Sequence, residues 1–453
     1  MLSKLFQDHR FFTVFLKIAI PITIQQFVTS FTNLLDVLMV GQLGETAIAA
    51  LGLSNQVFFL LIIIIFGINS GSAIFTAQYW GKKDIYNLRR VMGIGLSLSS
   101  AVAIFFTIAA MIFSKQVLGI YTEDSAVINL GSQYLRIVGF SYLFTAISTS
   151  FVAVLRSSEN VRLPMTVSII TLSLNMVLNF LLIFGNFGFP KMGVAGAALG
   201  TSIARSLECF LIIFFSYRMR TAAAARLHEL KYSLEFLKKV LIISLPAAIN
   251  EFFWSLGITT YNAVYAHIGT GAIAAININS TIENMSFVVF IGMANACAIM
   301  IGNQIGAGNE HLAFDYGKRF LILGISSAFL IGAVVISLRP VVLSLYNIQP
   351  ENYFFAFTLL LIYGLTMWIR VSNLILFIGI LRSGGDTRFA LLVEMSSIWL
   401  IGVPAAFIGA FVLKWPVYGV YSLVLLEEVV KLIIVIPRYF SKKWIHNLAA
   451  TVY

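Results

Sequence analysis

The sequence predicts an all-α integral membrane protein whose twelve transmembrane helices form two pseudo-symmetric lobes of six helices each. Three observations predict this fold class. The composition is strongly apolar, the apolar residues fall into runs long enough to cross a bilayer, and the two halves of the chain resemble each other. Together they argue against a soluble globular protein.

The composition is that of a membrane protein. Hydrophobic residues make up 59% of the 453 residues and charged residues only 11%, whereas soluble domains carry about 25% charged residues. The net charge is +11, but the basic residues are scattered over short predicted loops, so we expect no nucleic-acid binding. Cys209 and Cys297 both lie in apolar runs, which argues against a disulfide framework.

Apolar runs divide the chain into two halves around a polar, basic segment at 218–239. Each run has the length of about 20 residues that a helix needs to cross the hydrocarbon core. Because each half holds an even number of runs, both halves have the same orientation in the membrane. We therefore expect an N-lobe at 1–217, a cytoplasmic linker at 218–239 and a C-lobe at 240–453. The runs are centred on 14–40, 51–76, 91–113, 128–154, 163–185, 193–217, 240–266, 272–302, 318–338, 354–381, 388–412 and 418–438.

The basic residues predict the orientation of the spans. If the N-terminus is cytoplasmic, most of the 30 basic residues lie in cytoplasmic segments, and the opposite side holds only Lys115, Lys191, Arg339 and Lys414. Cytoplasmic loops carry such an excess of Lys and Arg. We therefore expect a multi-pass protein of the cell membrane, surrounded by membrane lipids, with both termini in the cytoplasm.

The two halves are related by an offset of 225 residues that later becomes 226. QLGETAIAA at 42–50 matches HIGTGAIAA at 267–275, and Pro21 matches Pro246. A repeat of this size indicates two copies of one structural unit. In an apolar chain, duplicated halves are typical of secondary transporters, whose site lies between the halves.

The motifs of ATP-driven transport and of hydrolysis do not occur in the sequence. There is no phosphate-binding loop of the form G-x-x-x-x-G-K-[ST], no G-x-S-x-G and no H-E-x-x-H. No soluble segment is long enough for a nucleotide-binding domain. We expect neither an enzyme nor a cofactor, and transport driven by an ion gradient through ionisable residues within the spans.

Asp36, in the first span, is the strongest candidate for a cation or proton site. No basic residue lies within one helical turn of it, and an unpaired carboxylate in a span is costly unless it is protonated or holds a cation. At about 1.5 Å per residue, Asn175 and Asn179 of the fifth span and Thr201 of the sixth lie at a similar depth. Such oxygen donors suit Na⁺ or tune a proton-carrying carboxyl. The alternative is that Asp36 is hydrated near the interface and that each Asn bonds only a neighbouring helix.

Three sequence segments resemble the multidrug and toxic compound extrusion (MATE) family, over nearly the whole chain. They are AIP…TNLLDVLMVGQLG…AIAA, the N-x-x-x-N run before LLIFG, and PKMGVAGAALGTSIAR. The resemblance implies two lobes around a central cavity that alternates between outward-open and inward-open states. It also implies export of organic, often cationic compounds in exchange for protons or sodium.

The resemblance also assigns a cation site in the N-lobe. In family members with an Asp in helix 1, that Asp, polar residues of helix 5 and a Thr of helix 6 form the site, which matches Asp36, Asn175, Asn179 and Thr201 here. The second helix 5 position is often an Asp in the family. Asn179 replaces it and removes one negative charge.

Glu251 and Glu283, in the seventh and eighth spans, are candidate contacts for a cationic substrate, together with Asn33 on the face of Asp36. Another branch of the family uses a Glu in helix 7 and an acid in helix 10. This chain places Glu251 one turn early and has Arg370 in the tenth span. We expect Glu251 and Glu283 to be unpaired carboxyls; the alternative is that they are protonated, structural groups.

Two further features concern pairing and bending. Arg205 with Glu208, and Glu427 with Lys431, are three and four residues apart, so each pair shares a helix face and is expected to neutralise itself. Pro21 removes a backbone hydrogen bond from the first helix. We expect a hinge there, and a static kink is the alternative.

The repeat duplicates the architecture without duplicating the candidate site. The four positions of the N-lobe site, Asp36, Asn175, Asn179 and Thr201, align with Tyr261, Ile401, Ala405 and Glu427.

The sequence thus predicts a monomeric, cation-coupled antiporter that exports amphipathic, often cationic organic compounds by alternating access. Two alternatives stay open. A flippase for a lipid-linked sugar or another amphiphile would need a cationic lateral groove. An integral-membrane enzyme or receptor-like protein would need a soluble domain or a polar catalytic cluster.

Overall fold

The apolar runs form helices, because a bilayer offers the backbone no hydrogen-bond partners outside its own segment. The structure, a computed structural model, describes residues 8–346 and 349–450, and these residues contain α-helices, π-helical stretches and short 3₁₀ turns but no strand. The ends of the two predicted lobes, 1–7 and 451–453, lie outside the described residues. The predicted fold class is confirmed.

Helices α1 to α6 arise from the first half of the chain. Between α1 and α2 the turn passes through Gly44, whose φ of 105° favours glycine. Helix α4 consists of two segments bent by 49° at Gly139 and Phe140, and glycine is a common cause of such bends. The bounds are α1 His9–Gly41, α2 Glu45–Gly81, α3 Ile85–Ile112, α4 Ser125–Val138 with Ser141–Ser157, α5 Arg162–Phe184 and α6 Val194–Arg218.

Helices α7 to α12 arise from the second half and are less regular. Helix α10 continues as a π-helix, and α11 contains two π-helical stretches, Ile398–Gly402 and Ile408–Val412. Such stretches are rare and are frequent at functional sites. The bounds are α7 Leu234–Ile268, α8 Thr270–Gly306, α9 Glu310–Ser344, α10 Pro350–Leu374 with Ile375–Arg382, α11 Thr387–Val412 and α12 Val417–Val424 with Leu426–Phe440.

The last helix differs from the expected apolar span. In the described part of the chain, ten helices are long and apolar enough to cross a membrane, and the two segments of α4 make an eleventh when they are counted together. Helix α12 is interrupted at Leu425 and carries Glu427, Glu428 and Lys431. Two of these charged side chains, Glu427 and Lys431, are buried within the protein.

The described residues divide into two compact units. The N-unit is Ile20–Ala248, and the C-unit holds the described residues up to Ala19 and from Ile249 onward. Both division points fall inside a helix and close to a proline, Pro21 in α1 and Pro246 in α7. The predicted lobe limits at 217 and 240 follow the linker instead and stay a prediction.

The linker is ordered against α3 within the N-unit. Glu229 accepts a hydrogen bond from the backbone N–H of Arg226 at 2.6 Å and an ion pair from Arg89 at 2.7 Å, and these contacts lower the pKa of its carboxyl. A side chain at Gly93 would collide with the carbonyl of Leu230. Within the predicted linker the structure has a short 3₁₀ turn, Leu227–Leu230, and α7 already begins at Leu234.

Candidate cation site

Asp36 lies half-buried on α1 and accepts a hydrogen bond from Asn179 Nδ2 on α5 at 2.7 Å. Asn179 is 1% exposed. The amide has room because the facing residue on α6 is Gly200. Any side chain at Gly200 would collide with Asn179 Oδ1. The close packing of α5 and α6 therefore holds the amide against the carboxylate.

The amide of Asn179 is only half satisfied. Its Oδ1 is buried and has no hydrogen-bond partner within residues 8–346 and 349–450. A buried polar atom in that condition costs about 1–3 kcal/mol. In this orientation the amide presents its NH₂ group to Asp36, and its oxygen lies toward Gly200.

A second contact in the same group joins α5 to α6. Asn175 Nδ2 donates to Thr201 Oγ1 at 3.4 Å, which is a long hydrogen bond. Asn175 is one turn from Asn179 on α5, so the two polar contacts are neighbours. The structure thus brings together the side chains that the depth argument placed in one layer; their role as cation ligands stays a prediction.

Tyr134 of α4 belongs to this group, and the sequence did not indicate it. Its hydroxyl lies beside Thr201 and near Asp36, and the residue is 6% exposed. A single tyrosine in a chain with 17 of them carries no distinguishing signal. The repeat does not help either, because it relates helices and does not mark which face is polar.

The nearest basic residue is already paired. Arg205 on α6 forms an ion pair with Glu208 at 2.9 Å, which confirms the expected pair. The charge of Arg205 reaches Asp36, but no ion pair includes Asp36 in the part of the chain that the structure describes. A single carboxylate among neutral oxygens matches the charge of one monovalent cation or one proton.

A separate chain of hydrogen bonds connects α1, α4, α5 and α6. Arg156 donates to Gln25 Oε1 at 2.6 Å, Gln25 donates to Ser168 Oγ at 2.7 Å, and Ser168 donates to Glu208 at 3.1 Å. These contacts join the four helices, although Arg156 Nε is buried and has no hydrogen-bond partner among the described residues. The network fixes the part of α1 that lies one turn beyond Pro21.

Glu251 and Glu283 are not unpaired, so that expectation is wrong. Glu251 forms an ion pair with Arg382, and Glu283 forms one with Arg370. Arg382 ends the π-helical stretch of α10 and is 5% exposed. Asn33, the third candidate, is exposed on α1. Whether these residues contact a substrate stays a prediction.

The C-unit also holds two buried polar contacts, of which the sequence predicted only the first. The predicted pair of Glu427 and Lys431 is confirmed, with 3.4 Å between Oε1 and Nζ. Tyr261, the repeat equivalent of Asp36, donates to Glu427 Oε2 at 2.5 Å. The signal that could have found this contact is the offset itself, because Glu427 is the equivalent of Thr201.

Comparison with known proteins gives the same pattern in both halves of the chain. The MatE family model matches residues 21–181 and 246–408. The chain is 28% identical over 413 residues to the probable multidrug resistance protein YoeA of Bacillus subtilis, covering 89% of this chain and 88% of that protein. It is 23% identical over 431 residues to the probable multidrug resistance protein NorM of Thermotoga maritima, covering 95% and 92%.

The fold is similar to that of a solved transporter. With a TM-score of 0.85 and 20% identity, the chain matches a structure described as the outward-facing conformation of a multidrug resistance MATE family transporter. The match covers 95% of this chain and 96% of that one.

Proposed function

The chain belongs to the MatE family of multidrug efflux transporters, and we propose that it exports amphipathic, often cationic organic compounds in exchange for H⁺ or Na⁺ bound at Asp36. The family consists of multi-pass transporters, not enzymes, and it needs no cofactor. The observation that carries the proposal is the contact between Asp36 and Asn179. It joins one ionisable group to a buried amide oxygen that has no hydrogen-bond partner of its own among the described residues.

The chemistry of this contact depends on the charge of Asp36. An ionised carboxylate only accepts hydrogen bonds, and it accepts from Asn179 Nδ2. A protonated Asp36 can donate, and its natural acceptor is the other end of the same amide, Asn179 Oδ1. Because the other oxygen of a protonated carboxyl can still accept from Asn179 Nδ2, protonation either keeps this contact and adds a donor, or exchanges it for an O–H···Oδ1 bond after the amide turns over.

A bound Na⁺ would use the same atoms differently. One carboxylate oxygen, Asn179 Oδ1 and the hydroxyl of Thr201 are hard oxygen donors. Proton and sodium ion then compete for the negative charge of Asp36, so one site serves either gradient. A cation at this carboxylate removes the cost of an uncompensated charge in the bundle.

Helix α1 connects this site to the rest of the transporter. It carries Asp36 near one end and Pro21 near the point where it leaves the N-unit. Pro21 removes one backbone hydrogen bond, so α1 bends more easily there. We propose that the occupancy of Asp36 changes this bend and drives the alternation between outward-open and inward-open states.

We propose that the chain is a monomeric transporter of the cell membrane, surrounded by lipid, with both termini in the cytoplasm. The basic residues of the loops support this orientation. Lys82 and Lys83, in the turn between α2 and α3, are exposed, and they lie on the side where most basic residues cluster. Such an excess marks the cytoplasmic side. Labelling of a single cysteine introduced at Lys83 with an impermeant maleimide, in intact cells and in lysed cells, tests the orientation.

Transport in proteoliposomes tests the proposal directly. Purified protein is reconstituted, a proton or sodium gradient is imposed in turn, and the movement of a fluorescent organic cation is followed. We expect one of the two gradients to drive the dye in the wild type and neither to drive it in Asp36→Asn. Glu45→Gln is the matched control, because Glu45 is an exposed carboxyl at the start of α2 and its loss should leave transport intact.

Two results would overturn the proposal in different ways. Indifference of the wild type to both gradients refutes antiport. Gradient-driven transport by Asp36→Asn at the wild-type rate refutes the site while leaving antiport in place.

A further inference from the structure

The C-unit holds a second group of carboxylates that the proposed function does not use. Glu427 and Glu428 of α12 form ion pairs with the ammonium group of Lys431, and Glu394 of α11 belongs to the same group. The Nζ atom lies 3.4 Å from Glu427 Oε1 and 3.5 Å from Glu428 Oε1, and its charge also acts on Glu394. Lys431 is 3% exposed. A buried ammonium is costly unless opposite charges surround it, and here they do.

Two buried amides complete the group. Asn250 Nδ2 donates to Glu394 at 2.5 Å, and Asn373 Nδ2 donates to Glu428 at 2.6 Å. The asparagines are 2% and 4% exposed. The Oδ1 atom of each is buried and has no hydrogen-bond partner in the described ranges. Each oxygen belongs to an amide that touches a carboxylate of the cluster, as Asn179 touches Asp36 in the N-unit.

The backbone of α11 makes room for the cluster. Gly402 ends a π-helical stretch, and a side chain there would collide with the hydroxyl of Tyr261 and the carboxylate of Glu427. Tyr261 reaches that carboxylate at 2.5 Å. The glycine therefore permits the contact in the C-unit, as Gly200 permits the approach of Asn179 in the N-unit.

The repeat relates one carboxylate of this cluster, Glu427, to the candidate cation site, and it relates Asn250 and Glu394 to Gln25 and Ser168 of the separate hydrogen-bond network. Glu427 is equivalent to Thr201, and Lys431 is equivalent to Arg205. Arg205 forms an ion pair with Glu208, whereas Lys431 forms ion pairs with Glu427 and Glu428 of the cluster. Carboxylates with amide oxygens are the donor set of a cation site, and in the C-unit an ammonium group already lies among them.

We propose that Lys431 is a tethered cation, which permanently occupies a site that would otherwise bind a mobile monovalent cation. Lys431 thus acts on ion coupling by keeping the C-unit from exchanging ions. The inference concerns the C-unit alone and does not rest on the proposed role of Asp36.

The surrounding charges do not replace Lys431. Arg382 and Arg370 face the cluster from α10, and their charges act on Glu394 and on Glu428. Each guanidinium, however, has its own ion-pair partner outside the cluster. Without Lys431, three carboxylates would share one buried site with no ammonium group, and a cation from solution would relieve their repulsion.

The test is the sodium response of Lys431→Met in an Asp36→Asn background, where the N-unit site is removed. Protein in detergent at pH 8 is heated at increasing NaCl, with choline chloride holding the ionic strength constant. We expect Asp36→Asn alone to show no specific sodium response. The double variant should gain about 2 °C or more in Tm, with saturation, since ligand binding to the folded state stabilises it.

Further variants decide between cation binding and a simple loss of charge. Lys431→Arg keeps the charge and should stay indifferent to sodium. Adding Glu427→Gln to the double variant removes a carboxylate and should weaken the response. If Lys431→Met is recovered folded only when sodium is present during solubilisation, the proposal is supported as well.

Three outcomes would overturn the proposal. The double variant could fold and ignore sodium, it could fail to fold in sodium and choline alike, or Asp36→Asn alone could show the same saturable response. The last result would place exchangeable sodium elsewhere while Lys431 is present, and it would not by itself contradict antiport.

Discussion

In the N-unit, α1 touches α5 through a neutral pair, Gln25 and Ser168. In the C-unit, the repeat-equivalent contact between α7 and α11 joins Asn250 to Glu394. The two contacts use the same positions of the duplicated frame. One is neutral and the other carries a carboxylate, so the frame determines where the helices meet and the side chains determine the charge.

A second set of equivalent positions also differs in charge between the halves, and here the carboxylate lies on a different helix in each half. Asp36 of α1 aligns with Tyr261 of α7, and Thr201 of α6 aligns with Glu427 of α12. The carboxylate lies on the first helix of one half and on the last helix of the other. The C-unit carboxylate faces a lysine, and the N-unit carboxylate faces neutral amides. We therefore propose that only the N-unit arrangement leaves a place for an exchangeable ion.

The largest expected difference between the units concerns the coupling of export to the ion gradient. Asp36→Asn should reduce dye efflux from cells to the level of cells without the transporter, because the asparagine binds neither a proton nor a sodium ion with a compensating charge. Tyr261→Phe, at the equivalent position, should keep gradient-driven efflux and lose about 1 kcal/mol of stability from one hydrogen bond. Equal loss of efflux in both variants at equal membrane abundance would break the comparison.

The next difference concerns how much the basic side chains of Lys431 and Arg205 contribute to the free energy of unfolding. Lys431→Met in sodium-free buffer should lower the free energy of unfolding by about 3–5 kcal/mol, because it leaves carboxylates buried without a counter-charge. Arg205→Met should cost less, since the side chains of Arg205 and Glu208 are 26% and 10% exposed. Thermal unfolding of both variants in one detergent provides the measurement. A larger loss for Arg205→Met would show that the N-unit pair is the stronger one.

Glycine substitutions sharpen the comparison at the two contacts. Gly200→Ala and Gly402→Ala should each cost about 1–3 kcal/mol, because the added methyl group overlaps Asn179 in one unit and Tyr261 with Glu427 in the other. Gly52→Ala is the control, since nothing lies within 4 Å of its added methyl group. It should be neutral or stabilising by about 0.5–1 kcal/mol.

Transport separates the two glycines further. Gly200→Ala should reduce gradient-driven transport by the protein that remains folded, whereas Gly402→Ala should leave the coupling ratio unchanged. Measurement of dye transport per folded molecule in proteoliposomes distinguishes them. The opposite result, with coupling altered only by Gly402→Ala, would move the coupling site to the C-unit.

The smallest expected effect on stability comes from removing an ion pair outside the spans. Asp8 accepts a hydrogen bond from Arg319 at 2.6 Å, and this guanidinium lowers the pKa of the Asp8 carboxyl from its usual value of 3.8. A lowered pKa stabilises the fold above the unfolded pKa, and the contribution is lost as the pH falls through the folded pKa. Asp8→Asn should therefore cost less than about 1 kcal/mol at neutral pH.

The pH profile checks this assignment. The Tm difference between Asp8→Asn and the wild type should be present at neutral pH, should shrink as the pH falls below the usual pKa of 3.8, and should vanish below the lowered pKa of the folded state. It should also shrink at high salt, because the pair is partly exposed. A difference that is independent of pH would assign the effect to packing instead.

Most of the helical frame could be predicted from the sequence, and so could the ion pairs within one helix, whereas the charge partners on different helices could not. Run length predicts the spans because a bilayer has a fixed thickness. The depth argument placed Asp36 beside Asn179 correctly, since rise per residue fixes height along a helix. It does not fix rotation about the helix axis, so it could not show that Glu251 faces Arg382 or that Tyr134 faces Thr201.

The polar contacts of α12 could be predicted in part. The pair of Glu427 and Lys431 follows from a spacing of four residues, whereas the contact of Lys431 with Glu428 and that of Glu427 with Tyr261 do not. Hydropathy measures a helix against lipid, whereas Lys431 and Glu427 are buried within the protein.

The central claim is that a duplicated frame holds one exchangeable cation site, at Asp36. The most direct measurement is the number of ions bound per chain, by sodium titration calorimetry at pH 8 and by proton uptake after a pH jump without sodium. We expect one saturable site in the wild type, none in Asp36→Asn and one in Glu427→Gln. Binding that survives in Asp36→Asn and is lost in Glu427→Gln would contradict the account.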